Sequence, residues 1–147
     1  MYRKLLVATD GSPLSKKAVR SAIDLASAVG ADLVALYVVP RYPVSYFEGG
    51  VTIPAQEVAR IEEQWTHKGQ AIVDAVCDAA QAAGVKAKAI VSRSDLVAES
   101  ILSAVKKNKC DLVVMASHGR KGLKRILLGS ETQQVLTHSN VPVLVLR

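Results

Sequence analysis

The sequence MASHGRKGLKRILLGSE, residues 115–131, joins the end of one apolar run to the start of a predicted helix. Gly119 and Gly129 flank a segment with four positive charges in six residues, from Arg120 to Arg125. Gly129-Ser130 stands where the helix is expected to begin. An apolar strand, a loop and a helix in succession are typical of an α/β fold, and the rest of the chain repeats this alternation.

Five short apolar runs have the length and composition of buried strands. They are Lys4–Thr9, Leu33–Val39, Lys86–Ser92, Leu112–Ala116 and Val141–Leu146. Four helical patterns lie between them. The first is expected to start at Ser12, a capping hydroxyl followed by Pro13, and to stop at Gly30. The fourth is expected to run from about Ser130 to His138.

The second helical pattern is long, with an apolar stripe that includes Trp65 and a stop at Gly84. Gly69 interrupts it as a weak point, because glycine lowers helix propensity. Ser94 or Asp95 is expected to cap the third helix, which ends at Asn108.

The alternation of strands and helices predicts one α/β domain over residues 1–147, a three-layer sandwich with a five-stranded parallel sheet and helices on both faces. The pattern alone permits the strand orders 2-1-3-4-5 and 3-2-1-4-5. Pro142 cannot donate to a strand ladder, so the fifth strand is expected at a sheet edge. In either order, ligands bind at the carboxyl ends of the strands where the winding reverses.

The composition fits a folded protein of this class. The chain has 147 residues, half of them hydrophobic, and a formal net charge of +6, which indicates either an evenly basic surface or an anionic ligand. Cys77 and Cys110 follow no metal-binding spacing and are expected to be reduced thiols. No signal segment or run of membrane-spanning length is visible, so a cytoplasmic location and no membrane partner are expected.

The loop residues at 115–131 suit an anionic ligand if the first and fourth strands are neighbours. Glycines allow the backbone to approach a phosphate closely, and the amides at a helix start favour anions. Asp10 would then face Gly119, where it could accept from a ribose hydroxyl or hold Mg²⁺ through water. Val38-Val39 could form one wall of an adenine slot. The alternative is that these glycines belong to ordinary turns and that Ser130 is an ordinary helix cap.

Three segments resemble the universal stress protein family: KLLVATDGSPLSKKAV at the start, DLVVMASHGRKGLKRILLGS around the fourth strand, and SNVPVLVL at the end. The nucleotide-binding branch of that family has the pattern G-x2-G-x9-G-[ST]. Its second glycine falls on Gly119, and nine residues later Gly129-Ser130 completes it. Ala116 stands where the first glycine is expected.

The resemblance implies strand order 3-2-1-4-5, ATP as ligand and a dimer. It places Asp10 at the ribose and a possible Mg²⁺, Val38 or Val39 at the adenine, and the backbone of Met115 at the sugar and base. It places four residues at the phosphates: Gly119, Gly129, Ser130 and Glu131, the last through its amide. Ala116 costs little if its φ is negative, and weakens binding if its α-carbon touches the ligand.

Catalytic machinery is sparse in the sequence. His118 is the histidine that the motif places near the site, and no Ser-His-Asp or Cys-His spacing is present. We therefore predict an adenine nucleotide-binding regulatory stress-response protein that acts as a dimer, with slow or no hydrolysis. The alternative is a dimeric interaction protein of the same fold with a degenerate nucleotide site.

Two further surfaces remain open at this point. The apolar edge strand Val141–Leu146 is expected to pair with a second copy, which would close a homodimer. Nucleic acid is not expected as a partner, because no aromatic residues interleave with the charges of Arg120–Arg125. The loop Pro40–Pro54 is long enough to have a function of its own.

Overall fold

The computed structural model describes residues 1–43, 53–119 and 128–147, and strands and helices alternate along them. The elements are β1 (Lys4–Ala8), α1 (Pro13–Val29), β2 (Asp32–Val39), α2 (Ala55–Ala82), β3 (Ala87–Arg93), α3 (Val97–Asn108), β4 (Leu112–Ala116), α4 (Ser130–His138) and β5 (Val143–Leu146).

All five strands form one parallel sheet in the order β3-β2-β1-β4-β5. In the centre, Leu6 of β1 pairs with Val34 of β2 on one side and Val113 of β4 on the other. This is the 3-2-1-4-5 order that the resemblance implied, and it excludes the 2-1-3-4-5 alternative. β1 and β4 are neighbours, and β5 lies at an edge, as Pro142 predicted.

Helices cover both faces of the sheet because successive strand residues point to opposite sides. Leu5 and Val7 lie in the cluster beneath α1 and α2. Leu6 and Val113 lie in the cluster beneath α3 and α4. The strands are therefore apolar on both faces, the pattern of a buried parallel sheet. The predicted three-layer α/β fold is confirmed.

Gly69 in the middle of α2 has a packing reason that the sequence did not show. A Cβ at this position would lie 2.5 Å from Cδ1 of Tyr37 on β2, a distance that real contacts do not reach. The glycine lets the helix backbone rest on the aromatic ring. The expected weak point is therefore a buried contact between α2 and the sheet.

Most predicted element ends are confirmed to within a residue or two. Ser12 caps α1 by accepting a hydrogen bond from the Ser15 amide at 3.3 Å, and Gly30 ends this helix with φ of 71°. The fifth strand starts at Val143, two residues later than expected, because the chain turns through Ser139 to Pro142.

Several expectations concern residues outside the described ranges. The basic segment Arg120–Arg125 lies there, and so does most of the loop Pro40–Pro54. At the described start of that loop, the Tyr42 ring stacks on Trp65 of α2, with ring centroids 6.0 Å apart. Within the described ranges, Cys77 and Cys110 are free thiols, and no helix is long and apolar enough to cross a membrane.

Candidate functional site

The reversal of winding between β1 and β4 creates a crevice at their carboxyl ends. β1 leads into α1 and crosses to β2 on one side, whereas β4 leads to β5 on the other. The two connections therefore diverge, and the chain segments after Ala8 and after Ala116 face each other across the gap. Ligands of open α/β sheets bind at such a point.

Asp10 and Gly119 meet across this crevice. A Cβ at Gly119 would lie 2.8 Å from Oδ2 of Asp10, so the carboxylate rests against the glycine backbone. The other oxygen, Oδ1, accepts a hydrogen bond from the Ser12 amide at 2.9 Å, which holds the side chain at the start of α1. The two residues are 109 positions apart in the chain, and the fold brings them into contact.

Buried hydroxyls hold the turn that carries Asp10. The Thr9 hydroxyl accepts from the Gly11 amide at 3.2 Å and lies 3.0 Å from the Ser15 hydroxyl. Thr9 and Ser15 are both buried. Sequence reasoning did not single out either residue, although a threonine at a strand end and a serine in the first helical turn are the signals that would have found them.

Gly129 and Ser130 start α4 beside the end of β4. The Gly129 amide donates to the Ser117 carbonyl at 2.8 Å, which ties the head of the helix to the strand end. A Cβ at Gly129 would lie 3.3 Å from Cα of His118, a tight contact. Because the N-cap is a glycine, its own side chain does not occupy the first amides of α4. Ser130 is exposed.

The structure separates the two candidates for the adenine wall. Val38 is half-buried and packs with the cluster that contains Met115, on the face of α3 and α4. Val39 points to the opposite face and is fully buried beneath α1 and α2. Its carbonyl accepts from the Ser94 amide at 2.9 Å. Val38 and Met115 thus share one side of the sheet, and Val39 offers only its backbone.

Glu131 has a contact that the sequence did not predict. Its Oε2 accepts a hydrogen bond from the Ala98 amide at 3.2 Å, in the first turn of α3. Neither Ser94 nor Asp95 caps that helix, so this expectation is wrong: the N-cap position is Leu96, and it makes no side-chain capping bond. A carboxylate from α4 supplies the missing cap, and it also suits the positive end of the helix dipole.

Ser94 and Asp95, which were expected to cap α3, instead make hydrogen bonds in the neighbouring loops. The Ser94 hydroxyl accepts from the Leu96 amide at 3.0 Å. Oδ1 of Asp95 accepts from the Arg41 amide at 2.9 Å, which joins the turn before α3 to the segment after β2. Short-range turn bonds of this kind compete with helix capping for the same side chains.

With this geometry in view, the comparison with known proteins is decisive. The universal stress protein family matches the chain over residues 1–147. The chain belongs to the universal stress protein family. Universal stress protein MJ0531 of Methanocaldococcus jannaschii is 36% identical over 148 residues, covering all of this chain and 83% of its own length.

Solved structures of the universal stress protein family share the fold. Universal stress protein UspA from Lactobacillus plantarum superposes with a TM-score of 0.83 at 23% identity, covering 99% of this chain and 98% of its own. A universal stress protein in complex with cAMP superposes with a TM-score of 0.67 at 26% identity, covering 99% of this chain and 97% of its own.

Ala116 departs from the glycine pattern of the family's nucleotide-binding branch, and its backbone explains part of that departure. Ala116 lies within β4. Among the described residues, one non-glycine residue has a positive φ, and it is Lys109 rather than Ala116. Ala116 therefore has negative φ, and no glycine is required there for conformational reasons. Its carbonyl accepts from the buried Thr132 hydroxyl at 3.0 Å, which fixes α4 against the strand.

The crevice of this family member offers few groups for metal or acid–base chemistry. Nδ1 of His118 lies 3.1 Å from the Ser117 hydroxyl. Within the described ranges there is no cluster of three or more side chains that could ligate a metal. Asp10 can supply one carboxylate to Mg²⁺, which fits an ion whose remaining ligands are water and substrate phosphates.

Proposed function

We propose that the chain binds an adenine nucleotide, ATP with Mg²⁺, in the crevice between β1 and β4 and acts as a regulatory stress-response protein. The observation that carries this proposal is the contact between the Asp10 carboxylate and the Gly119 backbone. This contact brings together a carboxylate that can accept a hydrogen bond from a ribose hydroxyl and a glycine whose backbone a phosphate can approach closely. The related structure in complex with cAMP supports an adenine nucleotide as the ligand class.

Each site residue has a distinct role in this proposal. Asp10 accepts from a ribose hydroxyl, and Val38 with Met115 lines the base and sugar. Backbone groups at Val39 and Ala116 complete that wall. The phosphates lie against four residues at the strand end and the helix start, where amides and the dipole favour anions: Gly119, Gly129, Ser130 and Glu131.

Binding without efficient turnover is the activity that these groups support. Mg²⁺, when bound with the nucleotide, would neutralise phosphate charge, and Asp10 would hold it through water. Hydrolysis also needs a group that positions a water molecule. Among the described residues, Nδ1 of His118 faces the Ser117 hydroxyl, and no carboxylate pairs with this histidine to make it a stronger base, so we expect slow or no hydrolysis. Multiple turnovers that disappear in His118→Ala would contradict this expectation.

Calorimetric titration with Mg-ATP tests the proposal directly. Gly119→Ala should weaken binding by about tenfold, because the added methyl would displace the Asp10 carboxylate from its position against the glycine backbone. Gly30→Ala is the matched control: its φ of 71° makes alanine strained, yet nothing lies within 4 Å of the new methyl. This control should lose stability and keep affinity. No binding by the nucleotide-free native chain, or equal affinity in Gly119→Ala, would refute the site.

The homodimer is a second proposal and rests on the exposed edge strand β5. Leu144 is 38% exposed on this edge, whereas Val143 packs toward the core cluster. Pairing of Val141–Leu146 with a second copy would cover the edge. If the crevice binds no nucleotide, a dimeric interaction protein with a degenerate site is the function that this edge supports.

Sedimentation of a surface variant tests the dimer. Leu144→Glu should give a monomer, because two carboxylates would face each other across the twofold axis. Leu136→Glu on α4 is the control, since Leu136 is 41% exposed and is not part of the edge strand. A native monomer at micromolar concentration, or a dimer that survives Leu144→Glu, would argue against this interface.

We also propose a cytoplasmic location. The two free thiols, Cys77 and Cys110, support it, because reduced cysteines are the rule in that compartment. Fractionation of cells that produce the full-length chain, with recovery in the cytosolic fraction, is the expected result. Recovery from an exported fraction would contradict it.

A further inference from the structure

A second concave region lies at the amino ends of the strands, opposite to the ends that form the crevice. The amino ends of β1, β2 and β3 and the carboxyl end of α3 line a surface cavity of about 410 Å³ that is open to solvent. This volume is in the range of small-molecule sites. Five lysines line it: Lys4, Lys86, Lys88, Lys107 and Lys109.

The cavity carries a large excess of positive charge. Asp32 is the acidic residue among those that line it, so the lining side chains sum to about +4 at neutral pH. Within the described ranges, no salt bridge involves any of these lysines. The nearby Asp111 carboxylate accepts from the backbone amides of Arg3 and Lys4. The ammonium groups are therefore not neutralised by ion pairs within the described residues.

Two of these lysines are fixed by the fold. Nζ of Lys88 donates to Oδ1 of Asn108 at 3.3 Å, which directs this side chain from the edge strand toward α3. Lys109 has φ of 56°, a left-handed conformation in which glycine or asparagine is usual at a helix end. A lysine at this position is costly for the backbone, and such cost is typical of residues kept for a function.

Ordinary structural roles account for only part of the cluster. Lysines at a helix end offset the helix dipole, which explains Lys107 and Lys109. A lysine on an edge strand prevents strand pairing, which explains Lys88 on β3. Lys4 lies on β1 in the middle of the sheet, where neither reason applies. Lys4 lines the cavity with the other lysines because four chain segments converge there.

We propose that this cavity binds a compact polyanion that carries several phosphate groups, at a site separate from the crevice. Lysine ammonium groups act as point charges that suit phosphate without a fixed orientation. Among the described residues that line the cavity there is no arginine fork and no aromatic ring. Stacking of nucleic-acid bases therefore has no platform there, and a small inorganic or metabolite polyphosphate is the ligand class.

Inorganic tripolyphosphate is the probe for this site. Titration of ¹⁵N-labelled full-length protein, at physiological salt and without Mg²⁺, should shift the amides of Lys86, Ala87 and Lys109 in a saturable manner. The same titration of Gly119→Ala should give the same shifts, because the two sites lie at opposite ends of the strands. This arm separates failure of the cavity from failure of the proposed nucleotide site.

Two triple variants that each remove three positive charges sharpen the test. The cavity variant is Lys86→Gln, Lys88→Gln and Lys109→Gly. The last change suits the left-handed backbone, so the variant should stay folded. The control variant is Lys16→Gln, Lys68→Gln and Lys106→Gln, three exposed lysines on α1, α2 and α3 that do not line the cavity. The cavity variant should bind about tenfold more weakly or worse, and the control less than about threefold.

Four outcomes would overturn the proposal. They are absence of saturable shifts in the native chain, equal weakening in both triple variants, shifts confined to the crevice residues Asp10 and Gly119, and binding of duplex DNA or an acidic protein without binding of tripolyphosphate. Weakening that is confined to the cavity variant and decreases with added salt supports the site.

Discussion

The two ends of the same parallel strands are built from different chemistry. At the carboxyl end, side chains bond to backbone across elements: Thr132 to Ala116, Glu131 to Ala98, and Asp95 to Arg41. At the amino end, five lysines surround a cavity with one carboxylate among its lining residues. The first end uses its polar side chains to hold loops in place. At the second end the five lysines form no ion pair within the described residues, and Lys88 makes one hydrogen bond, to Asn108.

This difference follows from what each end has to position. If the crevice binds a nucleotide as proposed, its loops have to present backbone amides and one carboxylate in a fixed arrangement, and the hydrogen bonds inside the protein would hold them so. At the amino end, backbone bonds such as Asp32 to Arg3 and Leu33 to Lys86 secure the strand starts, together with the Asp111 carboxylate, which accepts from the Arg3 and Lys4 amides. The lysine ammonium groups take no part in these bonds and are available for an external anion.

The largest expected effect concerns the amino end and its response to pH. Burial raises the pKa of the Cys110 thiol from 9.0 to about 11, and Lys4 partly offsets this rise. Because the folded pKa is the higher one, the stabilising contribution of the neutral thiol is complete below pH 9 and is lost between pH 9 and about 11. Across this pH window we expect the free energy of unfolding of the native chain to fall by about 2–3 kcal/mol more than that of Cys110→Ala. Urea unfolding at several pH values measures the difference, and parallel curves would contradict it.

The next effect concerns a hydrogen bond that joins α4 to β4 at the carboxyl end of the strands. Thr132→Val keeps the shape of the side chain but leaves the buried Ala116 carbonyl without this donor. We expect a loss of about 2 kcal/mol in the free energy of unfolding. Thr137→Val on the same helix is the control, because the Thr137 hydroxyl bonds only to its own helix and is exposed. Equal losses of unfolding free energy in the two variants would show that the hydrogen bond from Thr132 to Ala116 contributes no more than an exposed one.

A smaller effect is expected where α4 caps α3. Glu131→Ala removes the acceptor for the Ala98 amide and should lower stability by about 1 kcal/mol. Glu131→Gln keeps an acceptor without the charge and should lose less than the alanine variant. Amide hydrogen exchange in the first turn of α3 locates the change. Unaltered protection of Ala98 in Glu131→Ala would rule out this cap.

The smallest effect has the opposite sign. Lys109→Gly places the residue that best tolerates φ of 56° at the end of α3. We expect the free energy of unfolding of this variant to rise by about 0.5–1 kcal/mol, measured by thermal unfolding. Lys106→Gly, inside the helix, is the control and should lose about 1 kcal/mol. A loss in Lys109→Gly would mean that the lysine side chain stabilises the fold and that its backbone strain has no functional meaning.

Local patterns predicted the elements well, because hydrophobic period and capping residues act within a few positions. β4 and α4 match the expected bounds, and Ser12 and Gly30 end α1 as expected. The errors arise where a distant residue competes. Glu131 makes the capping hydrogen bond that was expected from Ser94 or Asp95. It is 33 residues away in sequence from Ala98, whose amide it accepts from.

The nucleotide site itself stays a prediction, and the structure shows where its candidate residues lie. The spacing of Gly119, Gly129 and Ser130 indicated a phosphate loop, and the resemblance to the family indicated which residues accompany it. The structure brings Asp10 against Gly119 and separates Val38 from Val39 by the faces of the sheet. The lysine cavity was not predicted, because its residues come from four separate segments that look like ordinary surface charge.

The sequence by itself determined the class of fold, the element ends and the glycine pattern, because these depend on neighbours within one helical turn or one strand. The family assignment also lies in the sequence. The alternation of elements left two strand orders open, and the resemblance to the family implied the observed one. Only the tertiary structure decided the close contact of Gly69 with Tyr37 and the convergence of five lysines at the amino ends of the strands. These features depend on which segments the sheet places side by side, and strand pairing joins residues that no local pattern connects.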